Sequence, residues 1–395
     1  MVGLVAITAI KLVLAAHWGW TNDIPQAQMH AEAFLAGRHH LSPWSIDPTY
    51  ATIFPLGYYV LSCSAVLAAQ ATGWPFAFWI KVPAILADLV IALALRAMPR
   101  GGGRAAFLYM VNPVSFLLAV YHGQLHTVAT MEAVLALWAA ERGRSGLSGA
   151  ALGLAASVRQ HFGLLILPLG LIVRPRWRSL LLSFALVTVL ANLTLLGTYR
   201  RNIIASPVWA YGAWGYGMLL LQGPRLLRLS GLERFASLTD SINGWLSAHG
   251  PWLYWGWAAV FCAWIFWRAR THRLPDAWHA ALFFLTGLYT ISPGFGVQWL
   301  IWALPFWLVV NRREAMGYLV LASLFLAGSY WQWTLNARYG LASITAHLEQ
   351  LSRTDIAGVT LVGVAGLLTW GYCARTAWAL SVAQRDTQGG VPSCA

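Results

Sequence analysis

Long apolar runs recur along this chain with almost no charge to interrupt them, and that limits what it can fold into. Only 10% of the 395 residues are charged, 58% are hydrophobic, and the mean hydropathy is +0.60. A water-soluble chain of this length would carry about 25% charged residues. Surface this apolar has to be buried in lipid or against similar segments. In lipid the backbone must satisfy its own hydrogen bonds, which selects helices here. The expectation is an all-α fold: a polytopic transmembrane helical bundle of about 10–13 spans, several of them short or broken.

Charge gives the second constraint. Against 13 acidic residues stand 26 basic ones, a net charge of +13. Basic cytoplasmic loops and contact with anionic lipid headgroups account for such an excess. A sharper reading is that some of the cations hold an anionic substrate such as a lipid phosphate. Nucleic acid is not indicated. The 23 tryptophans suit interfacial belts and aromatic-lined cavities, because an indole joins an apolar body to a single N–H donor. Cys63, Cys262, Cys373 and Cys394 have no ligand spacing, so neither a disulfide framework nor a zinc site follows. The first apolar run leads into a hydrophilic loop without a small-residue cleavage site, so no cleavable signal peptide is expected.

Along the chain, residues 2–18 read as a short first span containing Lys11. The loop 19–54 carries Asp23, Glu32 and Asp47 but a single arginine, which points to the non-cytoplasmic side. Within it, Pro25–Gly37 has an amphipathic helical pattern. Apolar stretches 55–71 and 77–98 follow, then the basic Pro99–Arg104. Counted as two crossings, they would return this basic loop to the outside. One stretch is therefore re-entrant or broken, or the loop departs from the charge rule. Segments 105–121 and 125–140 form a hairpin around Tyr121-His122-Gly123-Gln124-Leu125-His126. Segments 147–158 and 161–173 are too short to span and meet at Arg159-Gln160-His161. A span at 179–197 leads to a long external region, 198–250, containing Arg200 and Arg201. Further spans are expected at 251–268, 277–291, 299–311, 315–330 and 357–375, with a disordered tail after Gln384. One transmembrane domain, 1–383, is expected, with a catalytic module over about 1–200 and variable spans over about 251–380.

With so few carboxylates, each can be weighed. Glu141, Asp276, Glu314 and Asp386 lie beside arginines on the basic side, where surface pairing suffices. Asp88 and Glu132 fall inside apolar segments, where an ionisable group is costly and marks function by default. Asp88 has Lys81 and Arg96 as candidate partners on its own helix, and Glu132 also reads as a hydrogen-bonding residue of a helix interior. Asp23 follows the first span at membrane-surface height. It reads either as a helix cap ahead of Pro25 or as a general base that takes the proton of an attacking hydroxyl. His122 and His126 are either histidines reaching for the interface or pocket walls. Arg159 at a helix break needs an anion, and a phosphate would supply one. The histidines alone are weak grounds for a metal, and no cofactor is required. No nucleotide-binding loop, nucleophile elbow or dinucleotide fingerprint is present.

These features resemble the GT-C superfamily of integral-membrane glycosyltransferases, above all its bacterial members and the mannosyltransferases of the GPI and dolichol pathways. The likeness rests on Asp23 in the first external loop and on Tyr50-Ala-Thr-Ile-Phe54-Pro55 ahead of the second span. It rests further on Asn112-Pro113 with Gly123-Gln124, on Ser157-Val-Arg159-Gln160-His161 with Leu167-Pro168, and on Gly294–Trp302 with Pro305-Phe306. It covers most of residues 10–310. His126 stands where many relatives carry Asp, and Arg159 where many carry Lys.

The resemblance implies inverting transfer of a hexose, mannose being the commonest, from a polyprenyl-phosphate donor to an acceptor hydroxyl at the external leaflet. The acceptor would be a glycan, glycolipid or protein, and the setting a bacterial inner membrane with the site facing the periplasm. Asp23 would be the base, and Arg159 with Arg200 or Arg201 would hold the donor phosphate. His122, Gln124, His126, Gln160, His161 and Gln298 would line the pocket. Two other readings stay open: a transporter or flippase, and a non-catalytic accessory subunit.

Overall fold

The computed structural model describes residues 1–19, 23–37, 56–173, 176–192, 216, 231, 233–292, 296–340 and 348–382. Among them every regular element is helical. The first half comprises α1 (Val2–His17), α2 (Asp23–Leu35), α3 (Leu56–Thr72), α4 (Phe76–Trp79), α5 (Val82–Arg96), α6 (Gly102–Val111), α7 (Pro113–Phe116), α8 (His126–Glu141) and α9 (Ser145–Val158). It is followed by α10 (Ile166–Ile172), α11 (Trp177–Asn192), α12 (Glu233–Arg270), α13 (Ala277–Ile291), α14 (Leu300–Val310), α15 (Arg312–Tyr339) and α16 (Arg353–Val382).

Among the described residues two helices are long and apolar enough to cross a membrane, Phe76–Arg96 and Arg353–Val382. The pair Gly102–Val111 and Pro113–His122 passes the same test as one span bent by 47°. Pro113 explains the bend, since it lacks the N–H that would bond back into α6. Asn112 caps the new turn, accepting the Ser115 N–H at 2.7 Å. Seven further apolar helices of 10–17 residues include the expected short pair Ser145–Val158 and Gln160–Ile172.

One large core joins α5–α10 to α12–α16 and holds Trp278, Trp302 and Trp307 fully buried. Those three indoles fill the interior, whereas Trp18, Trp74, Trp177 and Trp267 sit exposed at or near helix ends, and Trp252 and Trp378 are exposed within helices. Small residues bring α9 onto α11. A Cβ on Gly149 would collide with the Leu180 carbonyl, and one on Gly153 would lie 2.9 Å from the Val187 Cβ. A second core packs α2 against α3 through Ile24, Ala27, Ala31, Tyr58, Tyr59 and Cys63.

The basic loops gather at one end of the bundle. Arg142 bonds the Ala97 carbonyl, Arg100 pairs with Asp276, Arg176 bonds Gly143, Arg268 bonds Ser381, and Arg375 pairs with Glu314. α3 has both its ends at the opposite pole. A Cβ on Gly57 would sit 2.6 Å from the Ser157 carbonyl oxygen, and the Thr72 hydroxyl accepts the Trp79 N–H at 2.9 Å. Stretch 55–71 therefore does not run from pole to pole. Removing it from the count closes the parity and puts 99–104 with the other basic loops.

The buried charges are paired across helices. Lys11 on α1 donates to Asp88 on α5 and to the Ser115 hydroxyl, both at 2.7 Å, with neither Lys11 nor Asp88 exposed. Ser115 and Tyr109 also donate to Asp88, at 2.7 and 3.1 Å. The expected partners Lys81 and Arg96 are thus replaced by Lys11, because α1 packs along α5 and delivers its one cation there. Glu132, half-buried on α8, has its Oε2 buried without a partner.

Candidate active site

At the pole opposite the basic loops, four chain ends converge. α1 ends at His17, and Trp18 leaves it in an extended conformation. Asp23 then lies in the first turn of α2. The second end is a π turn, Leu117–His122, terminated by Gly123 in the left-handed region at φ 71°. There the chain reverses with no Cβ to strain it. The third is the start of α8 at His126, and the fourth is the end of α9 at Val158. Arg159 follows in extended conformation, before a 3-10 turn over Gln160–Leu165.

Asp23 is the focus. The Gln124 amide donates to its Oδ2, and His122 Nε2 lies 2.7 Å from the same oxygen. A carboxylate can only accept, so His122 carries its proton on Nε2. Its Nδ1 lies 2.8 Å from the Tyr330 hydroxyl. Carboxylate, imidazole and phenol thus form one chain. Its inner members are buried, whereas the Asp23 side chain is 42% exposed against 2% for His122. The carboxylate faces outward while its support is locked. Burial on its own would pull the Asp23 pKa up. The His122 hydrogen bond and charge, the Gln124 amide and the field of Arg159 outweigh it and hold the group below the usual aspartate range.

Arg159 is buried, lies over the Tyr58 ring at 5.8 Å and donates to His126 Nε2. Since guanidinium has no lone pair to offer, the His126 proton must sit on Nδ1. That Nδ1 is buried without a partner, as are both ring nitrogens of His161 and the Trp302 N–H. Both imidazoles pack on Trp302, with centroids 5.2 and 4.0 Å from it. Buried polar atoms are nearly always satisfied, so orphans at three neighbouring rings mark a place where a polar guest or water belongs.

The structure thus brings together Asp23, His122, Gln124, His126, Arg159 and His161. Gln160 lies between two of them, partly exposed. Gln298 sits in the short turn that leads to Trp299 and Trp302, and it makes no hydrogen bond to the others. Arg200 and Arg201 lie outside the described residues, as do the Tyr50–Pro55 segment and the tail. Sequence reasoning misses Tyr330, which sits in a helix with many apolar residues, and takes Trp302 only as the end of the Gly294–Trp302 motif, with no place in the pocket. Among the described residues no group of three or more His, Cys, Asp or Glu is disposed to hold a metal ion. An apolar groove of about 810 Å³ lies elsewhere, lined by α10, α11 and α12 residues including Ile166, Gly170, Trp177 and Phe266. No family model, no curated protein and no solved structure matches this chain.

Proposed function

We propose that the chain is a polytopic integral-membrane glycosyltransferase of the GT-C type, transferring a hexose from a polyprenyl-phosphate donor to an acceptor hydroxyl at the external leaflet. The observation that carries the reading is Asp23: an outward-facing carboxylate kept ionised by buried partners, with a buried guanidinium close enough to act on it. In this reading the acceptor hydroxyl gives its proton to Asp23 as its oxygen attacks the anomeric carbon. The bond to the donor phosphate breaks from the opposite face, which inverts the configuration. The charge left on the phosphate is taken by Arg159 together with the donor N–H groups of His126, His161 and Trp302. Gln124 and His122 hold Asp23 in place.

The pole that carries these residues would be external, because the arginine-rich loops collect at the other end and basic loops stay cytoplasmic. A transporter would place its ionisable groups near the midplane; those of this cluster sit where helices end. The test is transfer from a radiolabelled polyprenyl-phosphate hexose in membranes, comparing wild type with Asp23→Asn. Loss of a positioned base lowers the rate about 10²–10⁴-fold. Equal rates would remove Asp23 as the base, and absence of transfer from any polyprenyl-phosphate hexose would remove the reading.

A further inference from the structure

We infer that Lys81, which touches none of the proposed reacting groups, is the positioning residue that sets Asp23 against His122 and Gln124. The inference rests on the proposed site for its consequence in catalysis, but its geometry stands alone. Lys81 precedes α5 and is 1% exposed. Its ammonium does not turn to Asp88, seven residues on. It donates to the Ala15 carbonyl at 2.9 Å and to the Trp18 carbonyl. Ala15 belongs to the last turn of α1 and Trp18 follows its end, where carbonyls lack helical partners and the helix dipole is negative. The one cation therefore fastens the chain where it leaves α1 towards Asp23.

The same side chain supports the other half of the contact. A Cβ on Gly123 would lie 3.2 Å from Lys81 Cγ and 3.3 Å from Ile24 Cδ1. Gly123 stands between His122 and Gln124, and Ile24 follows Asp23. Lys81 and Ile24 thus form the floor on which the corner and the start of α2 are set. A Cβ on Gly19 would fall 3.0 Å from the ammonium, so that approach too is close. One buried lysine spans the two segments whose side chains must meet within hydrogen-bond distance.

The test reads the Asp23–His122 contact without any substrate. In a background with Cys63, Cys262, Cys373 and Cys394 replaced by serine or alanine, Asp23→Cys puts a thiol beside His122 and Gln124, in the field of Arg159. Its rate of maleimide alkylation is followed against pH in detergent. Cationic neighbours depress a thiol pKa, so the midpoint should lie below the free-thiol value of about 8.5. Adding Lys81→Met should raise it by about one pH unit, while Lys81→Arg, which keeps the donors, should recover at least half of that shift. Gly19→Ala, which crowds the ammonium without removing it, should move the midpoint the same way by a smaller step. It serves if Lys81→Met fails to fold by tryptophan fluorescence.

An unchanged midpoint in folded Lys81→Met, or in Gly19→Ala where that variant stands in, overturns the inference. So does a Lys81→Arg midpoint no lower than that of Lys81→Met. The glycosyltransferase reading fails separately. If the wild type transfers no sugar, the thiol titration still decides whether Lys81 sets the contact.

Discussion

Lys11→Met and Asp88→Asn, made singly and together, should behave far from additively. The Lys11 ammonium is shared between Asp88 and Ser115, and the carboxylate also accepts from Ser115 and Tyr109, all without solvent contact. Lys11→Met leaves a buried carboxylate held by two neutral hydroxyls. Asp88→Asn leaves a buried ammonium with one. Removing one member of a buried ion pair costs about 3–5 kcal/mol. The double variant holds no charge: its amide oxygen accepts from Tyr109, and its NH2 faces the Ser115 hydroxyl, to which it can donate. The two bonds from Lys11 go with the lysine, and the amide N–H to Ser115 offsets part of that loss, so the cost is about 1–2 kcal/mol. The double variant should therefore be more stable than the two singles imply by about 4 kcal/mol or more. Unfolding in mixed dodecyl maltoside and SDS micelles, followed by tryptophan fluorescence, measures all four corners of the cycle. Additivity to within about 0.5 kcal/mol would refute the reasoning. It would mean that the two charges do not meet, and that α1 is not registered on α5 as described.

Two further outcomes are expected. As the proposed base, Asp23 would act as the carboxylate, the form populated above its pKa. Because His122, Gln124 and Arg159 depress that pKa, transfer should show no acid limb from Asp23 between pH 7 and about 4. His122→Asn should move such a limb upward in the kcat/KM profile, and an Asp23 limb that stays put would count against the contact. Gly149→Leu puts a side chain where the Leu180 carbonyl lies and should destabilise the fold by about 1–3 kcal/mol or more, lowering the thermal midpoint. Gly103→Leu, with nothing within 4 Å of its added Cβ, serves as the control.

Apolar runs located most helices, because each run has to be buried over its own length whatever it packs against. The hairpin around His122, the short pair around Arg159 and the amphipathic helix after Asp23 all stand near their expected places. Helix ends were read short where the sequence turns polar. The expected 251–268 is the last part of a helix starting at Glu233, and 315–330 lies inside Arg312–Tyr339. What could not be read was pairing at long range. Spacing along one helix suggested Lys81 or Arg96 for Asp88, but the partner lies 77 residues away on α1. Tyr330 meets His122 across 208 residues, and nothing in an apolar stretch distinguishes a tyrosine that faces a histidine from one that faces lipid. The crossing count failed for a related reason: the composition of 55–71 suits a span, and only its contacts show that both of its ends lie at one pole.

The π turn over Leu117–His122 makes chain length itself part of the site. Such a turn holds one residue more than an α-helix would over the same rise. Each residue of an α-helix advances the direction of its side chain by roughly 100°. Wound as ordinary α-helix, the same six residues would carry the imidazole of His122 roughly 100° further round and away from Asp23, so the wide turn is what keeps it in place. A sequence shorter by one residue within Leu117–Tyr121 would close the same rise as an α turn and keep the arrangement, whereas one that kept all six residues but wound them as α-helix would keep the composition of the site and lose its arrangement.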